Sequence, residues 1–433
     1  MYRRLPWWPV AITFLVLLSA ALAVEPLRDA ASLSSVSEAT LQLSTGYLAI
    51  APLSDVLDTL TLLTIAQHIA LIISLLVVFA AYRVWRHRAA RNERTADQVT
   101  DVNYRRTVPR EAGYTALLLL AIIVVYAIGA LAPRPMAAIA LSPSDMFLSL
   151  DVHSHTRYSH DGRRGWEPAD VRAWHRSSGY DVAYISDHRT FEGAEHAVAE
   201  NPSQAGQETI LLQALELVWR GEHVNVLGAG RVYKGLADSA LRDMDEEALV
   251  LASAIPGREP VVIETIPGNP QKIVAAGGPG TAGVRAIELV DGAPRGLAQS
   301  RLLRARIVAI ADSLNLALVA GSDNHGWGRT APAWTLLRLP GWRGMTPDSL
   351  AFNIERVLRL GGRDATRVVE RRVAGELNGR DELQLALTLP AVTWRMLTTL
   401  SVDERVMWIV WTWVVALIVI ASRRWRRRRL RVA

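Results

Sequence analysis

Asp151-Val-His-Ser-His-Thr-Arg-Tyr-Ser-His-Asp-Gly162 places three imidazoles and two carboxylates within eleven residues. On an extended strand successive side chains alternate faces, so His153 and His155 point the same way and can hold one cation between them. Asp161 follows after a tight polar turn that ends in Gly162. The stretch reads as the first strand of a metal site.

Working outward, three further segments carry the same chemistry. Ala183-Tyr-Ile-Ser-Asp-His188 ends an apolar, strand-like run in an acid and an imidazole, and 211–217 places Glu216 in an otherwise apolar run. Glu-His-Val-Asn-Val-Leu-Gly228 adds His223, and Leu316-Ala-Leu-Val-Ala-Gly-Ser-Asp-Asn-His325 repeats the two-residue spacing with Asp323 and His325. Eight of the ten histidines fall between 153 and 325. A lone strand histidine is ordinarily a surface or satisfied core residue. Clustering changes that reading, because acids and imidazoles at the ends of apolar strands are costly to desolvate unless a shared divalent cation compensates.

These residues resemble the motifs of the polymerase and histidinol phosphatase (PHP) superfamily of metal-dependent phosphoesterases. The first motif of that family has two histidines flanking one residue, then Ser and Asp-Gly, as in His153, His155, Ser159, Asp161 and Gly162. The second is Thr/Ser-Asp-His, here Ser186-Asp187-His188. A glutamate and a later histidine correspond to Glu216 and His223, and a final Ser-Asp-x-His to Ser322 through His325. The resemblance runs from about residue 147 to 330. It implies an α/β fold, a distorted (β/α)7 barrel with up to three metal ions at the C-terminal ends of its strands.

The chain is compatible with that layout. Glu167-Pro-Ala-Asp-Val-Arg-Ala-Trp-His-Arg-Ser-Ser-Gly179 predicts a helix with proline in its first turn and glycine as its stop, followed by a strand over 181–186. A helix over 300–314 precedes a strand over 316–320. One departure matters. Family members carry another histidine, followed by proline, at the end of a middle strand, whereas the corresponding stretch here is Val261-Val-Ile-Glu-Thr-Ile-Pro267. Carried over motif by motif, His153, His155, Glu216 and Asp323 would hold one ion and Asp161, His188 and His325 a second. His223 becomes the orphan of a third, so two ions are favoured over three unless Glu264 substitutes. Asp187 reads as a group orienting a ligand, or as a strand-terminal cap, because adjacent strand residues face opposite ways.

Two divalent cations held this way would lower the pKa of a bridging water and neutralise charge on a leaving oxygen, so no protein nucleophile is required. None is suggested: cysteine is absent, and there is neither a Gly-x-Ser-x-Gly elbow nor a Lys-bearing phosphate loop. Arg157, Arg163, Arg164 and Arg329 flank the motifs and are candidates to grip phosphate oxygens. Imidazole and carboxylate ligands without thiolate leave zinc, manganese and iron open.

Four apolar stretches, 7–24, 61–82, 114–133 and 406–422, are long enough for a hydrocarbon core of about 30 Å and contain no Asp, Glu, Lys or Arg. The first, within residues 1–24, reads equally as a cleavable signal peptide. Eight arginines fall between 83 and 110 and seven follow Ala421, whereas 25–60 has only Arg28 against five acids. Basic segments stay inside. The expected order is therefore an extracytoplasmic loop (25–60), a span (61–82), a basic cytoplasmic loop (83–113) and a span (114–133). An extracytoplasmic metallohydrolase domain (134–405), a span (406–422) and a basic cytoplasmic tail (423–433) follow. His68 in the second span is read as a helix-packing residue or a proton or partner site.

The basic balance, +6 overall, is concentrated in the cytoplasmic segments, so a nucleic-acid face on the catalytic domain is not expected. The expected partners are the lipid bilayer and a phosphorylated substrate. Past the last motif, 346–360 predicts a helix closed by Gly361-Gly362, the alternation of Leu383, Leu385, Leu387 and Leu389 a half-buried strand over 381–390, and 390–400 an amphipathic helix at the membrane surface. Glycine and proline clusters at 267–281 and 291–296 read as loops. The resemblance implies a phosphoesterase, and the arginine distribution places it on the outer side of the membrane. Two alternatives stay open: a catalytically weak sensor or binding module signalling across the membrane, and a hydrolase of another bond such as an amide.

Overall fold

The computed structural model describes residues 6–92, 102–219, 222–228, 260–265, 284–372 and 385–432. Within them the apolar runs of the central chain become β4 (Phe147–Ser154), β5 (Val182–Ile185), β6 (Ile210–Trp219), β7 (Glu222–Leu227), β8 (Val261–Glu264), β9 (Val284–Asp291) and β10 (Ala317–Gly321). β4, β5, β8 and β10 are buried at almost every position, as expected of strands covered on both faces. Together with β1 (Leu27–Asp29), β11 (Ala333–Arg338) and β12 (Thr366–Arg371) they form one ten-stranded sheet in the order β1-β12-β11-β4-β5-β6-β7-β8-β9-β10. β2 (Ala39–Leu43) pairs with β3 (Ala137–Leu141) in a separate two-stranded sheet.

The large sheet curls. Leu150, Tyr184, Leu212, Leu227, Ile263 and Val319, drawn from strands across it, share one buried core with Leu350 and Ile354. The chain just past β10 returns to β4: Ser154 and Asn324 form a parallel bridge, and the Asp323 amide donates to the His153 carbonyl at 2.9 Å. Strand and helix do not alternate regularly, however, because β6 passes straight to antiparallel β7, and β7 and β8 are also antiparallel. An acid-bearing apolar strand followed two residues later by another pairs as a hairpin instead of crossing over.

Among the described residues the helices expected from the sequence form with the caps they encode, and others join them. From the N-terminus they are α1 (Trp8–Ala21), α2 (Thr45–Ala49), α3 (Ala51–Thr61), α4 (Ile65–Asn92), α5 (Val102–Leu131), α6 (Pro168–Ser177) and α7 (Glu192–Ala199). α8 (Pro294–Leu297), α9 (Arg301–Leu314), α10 (Pro347–Gly361), α11 (Thr388–Thr399) and α12 (Val402–Val432) complete the set. Pro168 starts α6 behind a Glu167–Asp170 capping box, Ser300 caps α9 through the Leu303 amide, and Thr346 caps α10 through the Ser349 amide.

Two connecting segments carry more local structure than expected, and one expected strand is corrected. Residues 25–60 are not a simple loop: β1 adds to the edge of β12 and buries Leu27, and α2 and α3 follow. Much of 83–113 is helical, because α4 runs on to Asn92 and α5 begins at Val102, with Arg83 facing Glu111 at 2.5 Å. The strand expected over 381–390 is absent where described. Pro390 lies in the first turn of α11, where its missing N–H costs nothing, and Val392, Met396 and Leu397 are buried on the helical period. Leu383, the 267–281 cluster and Arg3-Arg4 lie outside the described residues.

Among the described residues, three helices are long and apolar enough to cross a membrane: Ile65–Ala89 in α4, Val108–Leu131 in α5 and Val402–Trp425 in α12. α1 is apolar but shorter. Buried Asp58 on α3 fastens this helical part to the sheet, pairing with Arg134 at 2.6 Å and with Arg371 of β12 at 2.5 Å. It also accepts from Thr330 at 2.9 Å and from the Tyr47 hydroxyl at 3.1 Å.

Candidate metal centre

Every candidate ligand lies at one rim of the curled sheet. His153 and His155 leave the end of β4, His188 follows β5, Glu216 lies on β6, and Asp323 and His325 follow β10. His223 lies near the start of β7, but antiparallel pairing brings it back beside Val218, at the same end as Glu216. The β4–β5 register shifts between Asp151 and Ser154, an irregularity of the kind that re-aims side chains at sites. Beneath it, the Asp151 Oδ1 accepts from the His153 amide at 3.1 Å and the Ser322 amide at 3.0 Å, clasping β4 to β10.

The geometry brings the predicted residues together. Nε2 of His153 and of His155 each lie 3.1 Å from Glu216 Oε2, and 3.3 and 3.2 Å from Asp323 Oδ1. A second group forms around Asp161, whose Oδ2 is 3.1 Å from His325 Nε2 and 3.3 Å from His188 Nε2, with His155 alongside. His188, Glu216 and His223 make a third group, His223 Nδ1 touching Glu216 Oε1. Glu264 is buried at the end of β8 but belongs to none of the ligand-type groups found among the described residues.

Asp323 holds a positive φ of 45°, a conformation costly for a side chain with a Cβ and typical of sites whose surroundings enforce it. Two glycines supply close approach. A Cβ on Gly321 would meet Glu288 Oε1 at 2.1 Å and His153 Cβ at 2.6 Å, and one on Gly162 would meet the Thr156 carbonyl oxygen at 2.0 Å.

The donor set fits divalent cations. Nδ1 of buried His155 lacks a hydrogen-bond partner, and Nε2 of His155 and of His325 lie close to carboxylate oxygens without hydrogen-bond geometry. Nδ1 of His325 lies 2.8 Å from the Asp323 carbonyl oxygen, an arrangement that leaves Nε2 as the atom available to a cation. The carboxylates lie close against the imidazoles. Burial works to lower the His155 pKa, but Asp323 and Glu216 outweigh it and raise it to about 10.

Asp187 sits behind the ligands. Its oxygens accept from the Thr156 amide at 2.7 Å and the Thr156 hydroxyl at 2.6 Å, fixing the turn between His155 and Asp161. The four arginines diverge. Arg157 pairs with Glu167 at 2.9 Å and Arg164 is exposed. Arg163 donates its amide to the His325 carbonyl at 3.0 Å and stacks near Trp166 and Trp327. Nε of Arg163 and of Arg329 are buried without a hydrogen-bond partner. Burial, then the neighbouring charges of Arg134 and Arg163, hold Arg329 below its ordinary pKa.

Two acids escaped the sequence reading. Glu288 and Asp291, at the end of β9, form a fourth group with His153, Glu288 Oε1 lying 3.0 Å from His153 Nδ1. The signal was present in Ala286-Ile-Glu-Leu-Val-Asp291, an apolar run interrupted by acids as in the Glu216 segment.

No protein-family model matches the chain, and no curated protein does. Among solved structures, PsfC from Pseudomonas syringae is similar at 18% identity, over 57% of this chain and 97% of that one, with a TM-score of 0.34. A two-domain protein from Bacteroides vulgatus containing a predicted PHP-like metal-dependent phosphoesterase is similar at 15% identity, over 52% and 65% of the two chains, with a TM-score of 0.31. The lesion-specific endonuclease PfuEndoQ from Pyrococcus furiosus is similar at 13% identity, over 48% and 55%, with a TM-score of 0.35.

Proposed function

We propose that the chain is a membrane-anchored, metal-dependent phosphoesterase of PHP type, its curled sheet a distorted barrel and its site on the side of the bilayer opposite the arginine-rich segments. The observation that carries this is the convergence of imidazoles and carboxylates from five strand ends on one rim, with His155 buried among them, its Nε2 facing the Glu216 and Asp323 carboxylates and its Nδ1 without a hydrogen-bond partner. His153, His155, Glu216 and Asp323 would hold one ion, and Asp161, His188 and His325 a second; zinc, manganese and iron all suit such ligands. When bound, the ions supply a water of lowered pKa and neutralise charge on the leaving oxygen.

The chain's own residues do the rest. Glu288 orients His153, and Asp187 holds the turn that carries Asp161. Arg163 and Arg329, each with an unspent buried Nε, are the candidates to bind phosphate oxygens. Arg157 is a weaker candidate, since Glu167 already occupies its guanidinium.

Because β1 and α3 are built into the catalytic part, the test uses the full-length protein in detergent. Metal-loaded protein is expected to hydrolyse members of a phosphomonoester and phosphodiester panel, and His153→Ala to lose at least about a hundredfold in kcat/KM. Folded, metal-loaded protein that turns over no ester would overturn the proposal.

A further inference from the structure

The rim opens onto the membrane helices. A cleft of about 640 Å³ is lined by Asp161, Asp323 and His325 together with Leu60, Ile65 and Val125. Its volume is within the range of small-molecule sites, roughly 300–1,000 Å³. A second cleft of about 310 Å³ shares Leu60, Val125 and Tyr126 with the first and continues between α4, α5 and α11, along Leu71, Ile122 and Val392. Tyr126 lines both clefts, and its hydroxyl lies 2.7 Å from Nδ1 of His68 in the wall of the first, a polar pair in a mostly apolar lining.

The ligand loop is tied to the end of a candidate span. The Gly328 amide, three residues past His325, donates to the Ala130 carbonyl at 3.1 Å, and Ala130 is the penultimate residue of the apolar segment Val108–Leu131. Leu117, Leu120 and Ile123 on the same helix are exposed, as a surface facing hydrocarbon would be. A water-soluble ester would need neither an apolar trough nor ligands so near the hydrocarbon boundary.

We infer that the substrate is a phosphorylated amphiphile of the bilayer, its phosphate at the metal rim and its alkyl chain in the trough between α4, α5 and α11. The inference rests on the phosphoesterase reading and deepens it. In the reaction, the oxygen of water bonds to phosphorus, the ester P–O bond breaks, and the leaving oxygen departs with a proton from that water as the alcohol. The His68–Tyr126 pair is placed to meet polar atoms between phosphate and chain.

The test compares butyl with hexadecyl p-nitrophenyl phosphate, and the corresponding alkyl phosphates, in the same inert micelles with full-length, metal-loaded protein. The long-chain ester should exceed the short by at least about tenfold in kcat/KM, since each buried methylene contributes a factor of a few. Leu60→Trp and Val125→Trp, which fill the trough, should collapse that ratio. A hexadecyl phosphate with a terminal diazirine should label α4 and α5 near Leu71 and Ile122 in the wild type, a readout that needs no variant to fold. Turnover that ignores chain length, a ratio unmoved by both folded variants, or labelling scattered over the helices overturns the inference and leaves the phosphoesterase standing. No turnover of any ester overturns both.

Discussion

His153 Nδ1 lies 3.0 Å from Glu288 Oε1, with both side chains wholly buried, so the acid that fixes this ring sits across the sheet from it on β9. A carboxylate on one ring nitrogen aims the other at a cation and makes it more basic. Glu288→Gln should therefore weaken metal binding about 10–100-fold while the protein stays folded. Titration of metal-stripped protein with zinc checks this; an unchanged affinity would make Glu288 a packing residue.

Asp58 joins α3 to Arg134 and Arg371 at a fully buried position. Removing one partner of such a cluster leaves buried charge uncompensated, at a cost of about 3–5 kcal/mol. Asp58→Ala should accordingly lower the thermal midpoint of the full-length protein by several degrees. An unchanged midpoint would show that the helical part and the sheet are not coupled through this contact.

Protons and cations compete for His155. With its pKa raised to about 10 in metal-free protein, the ring is charged at neutral pH and must lose a proton to coordinate. Apparent metal affinity should rise about tenfold per pH unit for each proton displaced, from about pH 7 towards 10. Stability of the metal-free protein should move the other way. A raised imidazole pKa stabilises fully below the ordinary value of about 6.5 and stops doing so as pH passes the folded value. Metal titrations and thermal midpoints at pH 7, 8 and 9 test both signs, and a flat pair of profiles would contradict them.

Arg163 and Arg329 crowd one another and keep buried Nε atoms unspent. Changing either to Gln should raise KM for an anionic ester about tenfold or more, without altering metal content. Loss of metal instead would assign them to the scaffold of the centre.

Much of this was legible from side-chain chemistry. The two-residue spacing of His153 and His155, and of Asp323 and His325, marks candidate ligands that the fold then brings together, and Pro168, Ser300 and Thr346 mark helix starts through local capping. Elements fixed by distant partners were harder to read. Leu27-Arg-Asp29 becomes a strand because the edge of β12 offers it hydrogen bonds, and nothing local reveals that. The leucine alternation before Pro390 suggested a strand, but 388–399 can bury one helical stripe against α1 and α4, and that packing decides the outcome. Glu288 was missed because its partner His153 lies 135 residues away in sequence.

The most direct test is elemental analysis of full-length protein purified in detergent after growth with manganese, zinc and iron, alongside His155→Ala. His155 belongs to both candidate ligand groups, so on this account the wild type should carry about two ions per chain and the variant fewer than one. Folded wild-type protein with no metal above background would contradict the account at its centre.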